Sequence, residues 1–279
     1  MPAVAVAGLR KRYGDYEALH GIDFAIEAGE VFGLLGPNGA GKTTTVEILE
    51  GYRERDGGEV HVLGVDPQRG SSSWRERIGV MLQSSSLYPS LTVRESLRVF
   101  GAYYTESRNV DEVIEIVELG SKADARVRTL SGGQQRRLDL GLALIGDPEL
   151  IFLDEPTTGF DPGARRTAWQ TIRNLRELGK TILLTTHYLD EAEQLADRVA
   201  VLRAGEIVRE GTPAELTGGA VETEIRYRRA GADIVERTHE PTQRLHELTS
   251  AAVERGEELD GLEVRRPTLE DVYLELTRE

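Results

Sequence analysis

Gly36-Pro37-Asn38-Gly39-Ala40-Gly41-Lys42-Thr43 is the stretch on which the fold turns. It fits the spacing G-x-x-x-x-G-K-[ST] at every required position. It follows the apolar run Val31–Leu35 and opens a helical pattern from Thr43 to Leu49. Glycines at this spacing let successive backbone N–H groups turn inward as an anion nest, with no Cβ in the way of a phosphate. The N-terminus of the following helix adds the positive end of its dipole. Lys42 then reaches the β- and γ-phosphates as a point charge, and the Thr43 hydroxyl is placed to ligate Mg²⁺. A plain strand–turn–helix connection is the alternative, and the complete match in this context sets it aside.

Outward from this loop, short β-rich runs alternate with longer amphipathic stretches, the pattern of an α/β domain with a largely parallel sheet. Val31–Gly36, Ile78–Gln83, Leu150–Asp154, Thr181–Thr186 and Arg198–Leu202 read as core strands, and Lys42–Gly51, Ser131–Ile145, Pro162–Leu178 and Tyr188–Ala196 as helices. Between Thr92 and Lys122 the apolar residues Val93, Leu97, Phe100, Val110, Val113, Ile114 and Val117 recur at helical spacing, which predicts a helical insertion into the sheet domain. Gly211-Thr212-Pro213 and Gly218-Gly219 mark a break. Beyond it Val221–Arg229 reads as a strand, Gln243–Arg255 as a helix, and Thr268–Thr277 as a capped amphipathic segment with Leu269, Val272, Tyr273 and Leu276 on one face. The expected division is therefore 1–219 for the main domain, with its helical subdomain at about 84–145, and 220–279 for a small accessory module.

Leu150-Ile151-Phe152-Leu153 is an apolar strand that ends in Asp154 and Glu155. In open α/β folds the strand ends are where ligands sit. Asp154 is placed to hold the Mg²⁺ shell, and Glu155, on the other side of the strand end, to orient or deprotonate an attacking water. His187 closes the strand Thr181–Thr186 and so arrives at the same edge, where a neutral imidazole can bond a γ-phosphate or hold the water. Leu130-Ser131-Gly132-Gly133-Gln134 precedes a second strong helix, with Ser131 as N-cap and two glycines allowing close approach. The chain thus offers two glycine-rich helix N-termini suited to phosphate but only one P-loop. One resolution is that the second serves a nucleotide held by another copy.

Composition narrows the function classes. Of 279 residues, 34 are basic and 48 acidic, giving a net charge of −14, which argues against nucleic acid as a partner. The absence of cysteine excludes disulfide scaffolds, thiol catalysis and Cys-ligated metals, and suits a reducing intracellular setting. No apolar run is long enough to span a bilayer, and Met1–Arg12 does not read as a signal peptide. The chain is expected to be soluble and cytoplasmic by itself, reaching a membrane only through a partner.

Taken together, these residues resemble the ATPase subunit of an ABC transporter. The resemblance rests, in order, on Tyr13, the Walker A loop, Gln83 after a strand, the signature Leu130–Gln134, the Walker B strand with Asp154 and Glu155, Gly159-Phe160-Asp161, and His187, and it covers residues 3 to about 216. It implies a RecA-like P-loop NTPase core with an antiparallel β-subdomain and an inserted helical subdomain, followed by a small C-terminal α+β module. By the same resemblance Tyr13 would stack on adenine, Gly36 to Thr44 would hold ATP (Thr43 and Thr44 included), and Gln83 would touch Mg²⁺ and the water. Ser131, Gly132, Gly133 and Gln134 would bind ATP held by the other subunit of a homodimer with two composite sites, and Asp161 would communicate across it. Catalysis would rest on Glu155, His187, Gln83 and Lys42, and the metal on Thr43, Gln83 and Asp154. Phe160 departs from the leucine usual in that loop, and Gly141 lowers the helix propensity of the signature helix.

The ending Arg266–Thr277 resembles that of drug-resistance exporter ATPases of the daunorubicin type, which pair with separate multispanning permeases. An exporter subunit on the cytoplasmic face of the membrane is therefore the expectation. An importer ATPase is the nearest alternative, and only the C-terminal module argues against it. A non-transport ABC ATPase is disfavoured by the single P-loop, the short span from Gln83 to Leu130 and the negative charge. Leu87, Tyr88 and Pro89, in the loop Ser84–Leu91, form the expected docking patch for a permease helix.

Overall fold

Val31–Leu35, Leu150–Asp154 and Thr181–Thr186 are buried at every residue, as strands covered on both faces must be. These are β3, β6 and β7. With β5 (Ile78–Met81), β8 (Arg198–Arg203) and β9 (Glu206–Gly211) they form a six-stranded sheet ordered β5-β6-β7-β3-β8-β9, all parallel from β5 to β8. The register pairs Leu35 with Thr186 and Asp154 with Thr185, so the segments after β3, β6 and β7 leave the sheet at one edge. This computed structural model describes residues 2–82, 87–218, 223–229, 231–265 and 273.

Successive side chains of the core strands enter opposite layers, as the strand period requires. Phe32, Leu34, Phe152 and Leu183 belong to one hydrophobic cluster and Val31, Ile151, Leu153, Ile182 and Leu184 to the other. The first cluster is shared with an antiparallel sheet ordered β2-β1-β4: β1 (Val4–Tyr13), β2 (Tyr16–Ile26) and β4 (Gly57–Val62). Phe24 of β2 stacks on Phe32 with ring centroids 5.5 Å apart. The hydrophobic alternation of β1 is broken by register shifts between Val6 and Leu9 and between Lys11 and Arg12, with Gly8 at φ 59°. Such bulges hide a strand from a period-two reading. Helix α1 (Lys42–Leu49) follows the loop, and the short α2 (Ser72–Arg75) precedes β5.

The second cluster holds the helical insertion: α3 (Val93–Gly101), α4 (Val110–Ile116) and α5 (Gly132–Leu144). Thr92 with Glu95, and Ser131 with Gln134, form reciprocal capping boxes, and the Asn109 side chain accepts from the Asp111 and Glu112 amides. Gly141 has a packing reason. A Cβ there would lie 3.3 Å from Leu97 and 3.4 Å from Val113, so its absence lets α3 and α4 approach α5 closely. Two more helices, α6 (Pro162–Glu177) and α7 (Leu189–Leu195), complete this unit, which spans Met1–Glu210.

Gly211–Glu279 is a second unit. It contains α8 (Pro213–Gly218), β10 (Thr223–Arg229), β11 (Ala232–Thr238), α9 (Pro241–Arg255) and β12 (Asp260–Arg265), with the antiparallel order β11-β10-β12. The division falls at 210/211, ahead of the 219/220 boundary read from the sequence. Ile225 and Tyr227 are buried on β10, and the Tyr227 hydroxyl donates to Glu236 at 2.6 Å. The helix read at Thr268–Thr277 lies outside the described residues apart from Tyr273.

Candidate active site

The loop after β3 is shaped by contacts that only glycine tolerates. A Cβ on Gly36 would lie 2.4 Å from the Leu202 carbonyl oxygen, and one on Gly41, at φ 109°, 2.8 Å from Leu19. No side chain caps the N-terminus of α1 and no acidic residue sits in its first turn, so no side-chain cap occupies its leading amides. Lys42 is buried, and its Nζ donates to the carbonyls of Gly36 at 2.7 Å and Pro37 at 3.2 Å. Burial lowers its pKa, while Glu155 and Asp154 pull it back up. Thr43, the second residue of α1, is exposed. The hydroxyls of Tyr13 and Thr44 are 3.3 Å apart, and the Arg53 guanidinium lies 5.2 Å from the Tyr13 ring centroid. At the far end of α1, Glu50 is pushed up to about 8 by burial and by Asp154 and Glu47.

Asp154 and Glu155 are both buried at the end of β6. The Thr185 hydroxyl donates to Asp154 Oδ1, and burial raises the Asp154 pKa against that bond. Glu155 stands at φ 47°, a left-handed backbone that costs a non-glycine residue about 1–3 kcal/mol and is held only where the surroundings over-determine it. Its amide donates to the Thr185 carbonyl at 3.2 Å and Thr185 Oγ1 at 3.1 Å. Its carboxylate lies 3.2 Å from His187 Nδ1 through Oε1 and accepts from Thr158 Oγ1 at 3.1 Å through Oε2. One sheet edge thus joins Lys42, Asp154, Glu155 and His187.

Ser131–Gln134 bonds locally: Gln134 N donates to Ser131 Oγ at 3.3 Å and Ser131 N to Gln134 Oε1 at 3.0 Å. A Cβ on Gly132 would meet nothing within 4 Å, and Ser131 and Gly132 are exposed. The second glycine-rich helix start therefore faces open space. The Asp161 carboxylate caps α6 through the Gly163 and Ala164 amides, at 2.8 and 2.9 Å. Gln83 lies outside the described residues.

Three residues around this site escaped the sequence reading. Thr185 holds both Asp154 and the Glu155 amide, but a threonine inside an apolar strand carries no distinguishing signal. Glu191 of α7 is fully buried, accepting from Thr157 Oγ1 at 2.8 Å and Trp169 Nε1 at 3.0 Å. Its position four residues after His187 was the available clue. Arg136 of α5 donates to main-chain carbonyls around the acidic pair. In the sequence it is one of two adjacent arginines on a polar helix start.

Residues 19–158 match the family model described as ABC transporter. Over 308 aligned residues the chain is 41% identical to the daunorubicin resistance ATP-binding protein DrrA3 of Streptomyces coeruleorubidus, covering 99% of this chain and 96% of that one. It is 45% identical to the Nod factor export ATP-binding protein I of Burkholderia lata, covering 82% of this chain and 74% of the relative. Among solved structures, MJ1267, an ATP-binding cassette of an ABC transporter in its ADP conformation, superposes with a TM-score of 0.69 at 26% identity, over 77% of this chain and 92% of its own. The dimeric post-hydrolysis state of the cassette MJ0796, bound to ADP and Pi, gives 0.67 at 27%, over 75% and 98%. By family model, by relatives spanning nearly its whole length and by fold, the chain belongs to the ABC transporter family.

Proposed function

We propose that this ATPase subunit powers export through a separate integral-membrane permease, as one half of a homodimer with two composite ATP sites. The hydrolytic part rests on the 3.2 Å approach of Glu155 and His187 at the sheet edge that also presents Lys42. Tyr13 stacks on adenine, the amides of Gly36–Thr44 and the Lys42 ammonium hold the phosphates, and Glu155 takes a proton from the attacking water. His187 orients that water or the γ-phosphate from the side opposite Thr158. Thr43 and Asp154 offer hard oxygen ligands, Gln83 is proposed as a third, and Asp154 carries a buried charge that a cation relieves. When bound there, Mg²⁺ neutralises charge on the β- and γ-oxygens. Ser131–Gln134 of the opposite copy closes the site over the γ-phosphate, a role that the exposed, glycine-rich start of α5 supports.

Export, rather than import, is supported by the printed functions of the relatives, Nod factor export and daunorubicin resistance. The test is directional. With the permease co-expressed, inside-out membrane vesicles should accumulate daunorubicin on addition of ATP. ATP-driven uptake confined to right-side-out vesicles would identify an importer.

Among the described residues no helix is long and apolar enough to cross a membrane, so the permease must be met at a surface. Tyr88 is 56% exposed and lies 6.4 Å from Phe100, which lies 6.3 Å from Tyr103, itself 78% exposed. Leu87 is different: it packs against the helical-insertion core, so only Tyr88 of that pair is free to dock. Replacing Tyr88 and Tyr103 together by Ser should leave basal ATP hydrolysis within about two-fold and reduce vesicle transport at least ten-fold, because exposed aromatics contribute little to the fold. Transport at the normal rate would remove this surface from consideration.

We assign residues 1–219 to the ATPase domain, which extends it past the 210/211 division between the compact units to take in α8, and 220–279 to a bracing or assembly module. A chain ended after Leu216 retains every site residue named above. It is expected to bind a fluorescent ATP analogue with affinity within about three-fold of the full chain, while permease assembly weakens. Loss of nucleotide binding would place the boundary elsewhere.

A further inference from the structure

The main chain at Glu155 is held from two sides. On one, its amide is bonded to Thr185. On the other, the Arg136 guanidinium donates to the carbonyl of Asp154 at 2.8 Å and of Glu155 at 3.0 Å, both through Nη2. These carbonyls belong to the two peptide planes flanking the Glu155 Cα, and the orientations of those planes are its φ and ψ. Clamping both fixes a backbone that would otherwise relax out of the left-handed region. The remaining donors reach the Pro156 carbonyl at 3.4 Å and the carbonyl of Leu82, the residue before Gln83. A guanidinium is suited to this, since its planar fork carries five N–H donors, whereas an ammonium is a single point.

Arg136 sits on α5, five positions after Ser131, or about 7.5 Å along the axis at the usual rise. We propose that Arg136 is a positioning residue for hydrolysis: from the signature helix it clamps the two peptide planes around Glu155, sets the direction of that carboxylate, and makes the attitude of α5 a condition for reaction. A nucleotide engaged by the N-terminus of α5 is thereby linked to the base on the same chain through one side chain. The inference rests on Glu155 being the general base.

The test uses the full chain. Arg136→Met keeps the apolar stem and removes every donor; Arg136→Lys restores the charge without the fork. For Arg136→Met, kcat should fall about 10–100-fold, the scale of a misplaced catalytic group, with KM for ATP and the affinity for a fluorescent ATP analogue within about three-fold. Arg136→Lys should recover part of that loss. In a Glu155→Gln background, single-turnover hydrolysis should fall no further on adding Arg136→Met, because a residue acting only through Glu155 has nothing left to act on. An unchanged kcat for Arg136→Met, a loss that multiplies in the double variant, or a rise in KM matching the fall in kcat would each overturn the proposal. Should the Met variant not fold, Arg136→Lys decides: wild-type kcat refutes the clamp, and a fall in kcat alone supports it. Failure of the underlying reading shows separately, as normal turnover by Glu155→Gln alone.

Discussion

Glu155→Gln is expected to cut steady-state ATP hydrolysis by at least the ~10²-fold typical of losing a general base. The amide keeps the shape of the side chain and an oxygen for Thr158 Oγ1, and the left-handed backbone is fixed by main-chain bonds that the change leaves in place. What it loses is charge and basicity. Nucleotide affinity should stay within about three-fold, because the loop glycines between β3 and α1, and Lys42 at the start of α1, are not on β6. Removing a carboxylate close to the γ-phosphate also lowers like-charge repulsion, so the ATP-bound dimer should accumulate. Phosphate release and a size-exclusion profile with Mg·ATP measure both effects. Turnover near the wild-type rate would pass the role of base to another group.

How far the sequence carried this result differs between elements. The parallel core was legible because β3, β6 and β7 are buried on both faces, so β3 and β6 read as nearly continuous apolar runs and β7 as the run Ile182–Leu184 flanked by threonines. The loop and the acidic pair were legible because their chemistry fixes residue types at fixed spacing. The antiparallel sheet was reached only through resemblance, since bulges at Gly8 and beyond Lys11 erase the alternation that would have announced β1. In the second unit β11 and β12 were missed for a related reason: most of their residues are exposed, and charged residues interrupt the few apolar ones. At the site, the sequence pointed to Lys42, Asp154, Glu155 and His187, which one sheet edge brings together, but not to the groups that hold them. Thr185, Glu191 and Arg136 act by meeting main chain or each other's neighbours across long sequence separations, and such partners follow from the register of β6 against β7 and the packing of α5, not from local pattern.

Lys42→Ala should have the larger effect on the nucleotide itself. Its ammonium is buried, satisfied by the Gly36 and Pro37 carbonyls, and faces Glu155 and Asp154. Burial lowers its pKa and the two acids oppose that shift, so the cation and the acids stabilise one another at this edge. Truncation removes the cation and leaves both acids beside the proposed phosphate site. A hydrogen bond to a charged group contributes about 1.5–3 kcal/mol, so the affinity for ATP should fall about 10–100-fold. A donor aimed at charge that develops on the transferring phosphoryl adds about 10²–10³ in kcat. The product is a loss of at least ~10³ in kcat/KM, and no ATP-dependent dimer at concentrations that saturate the wild type. Equilibrium titration with a fluorescent ATP analogue, kinetics of phosphate release and size exclusion with Mg·ATP separate the three effects. Glu155→Gln is the contrasting case: it should hold ATP and dimerise without turning over, whereas Lys42→Ala should do neither. Retention of tight ATP binding by Lys42→Ala would mean that the loop amides and the α1 N-terminus carry the phosphates unaided.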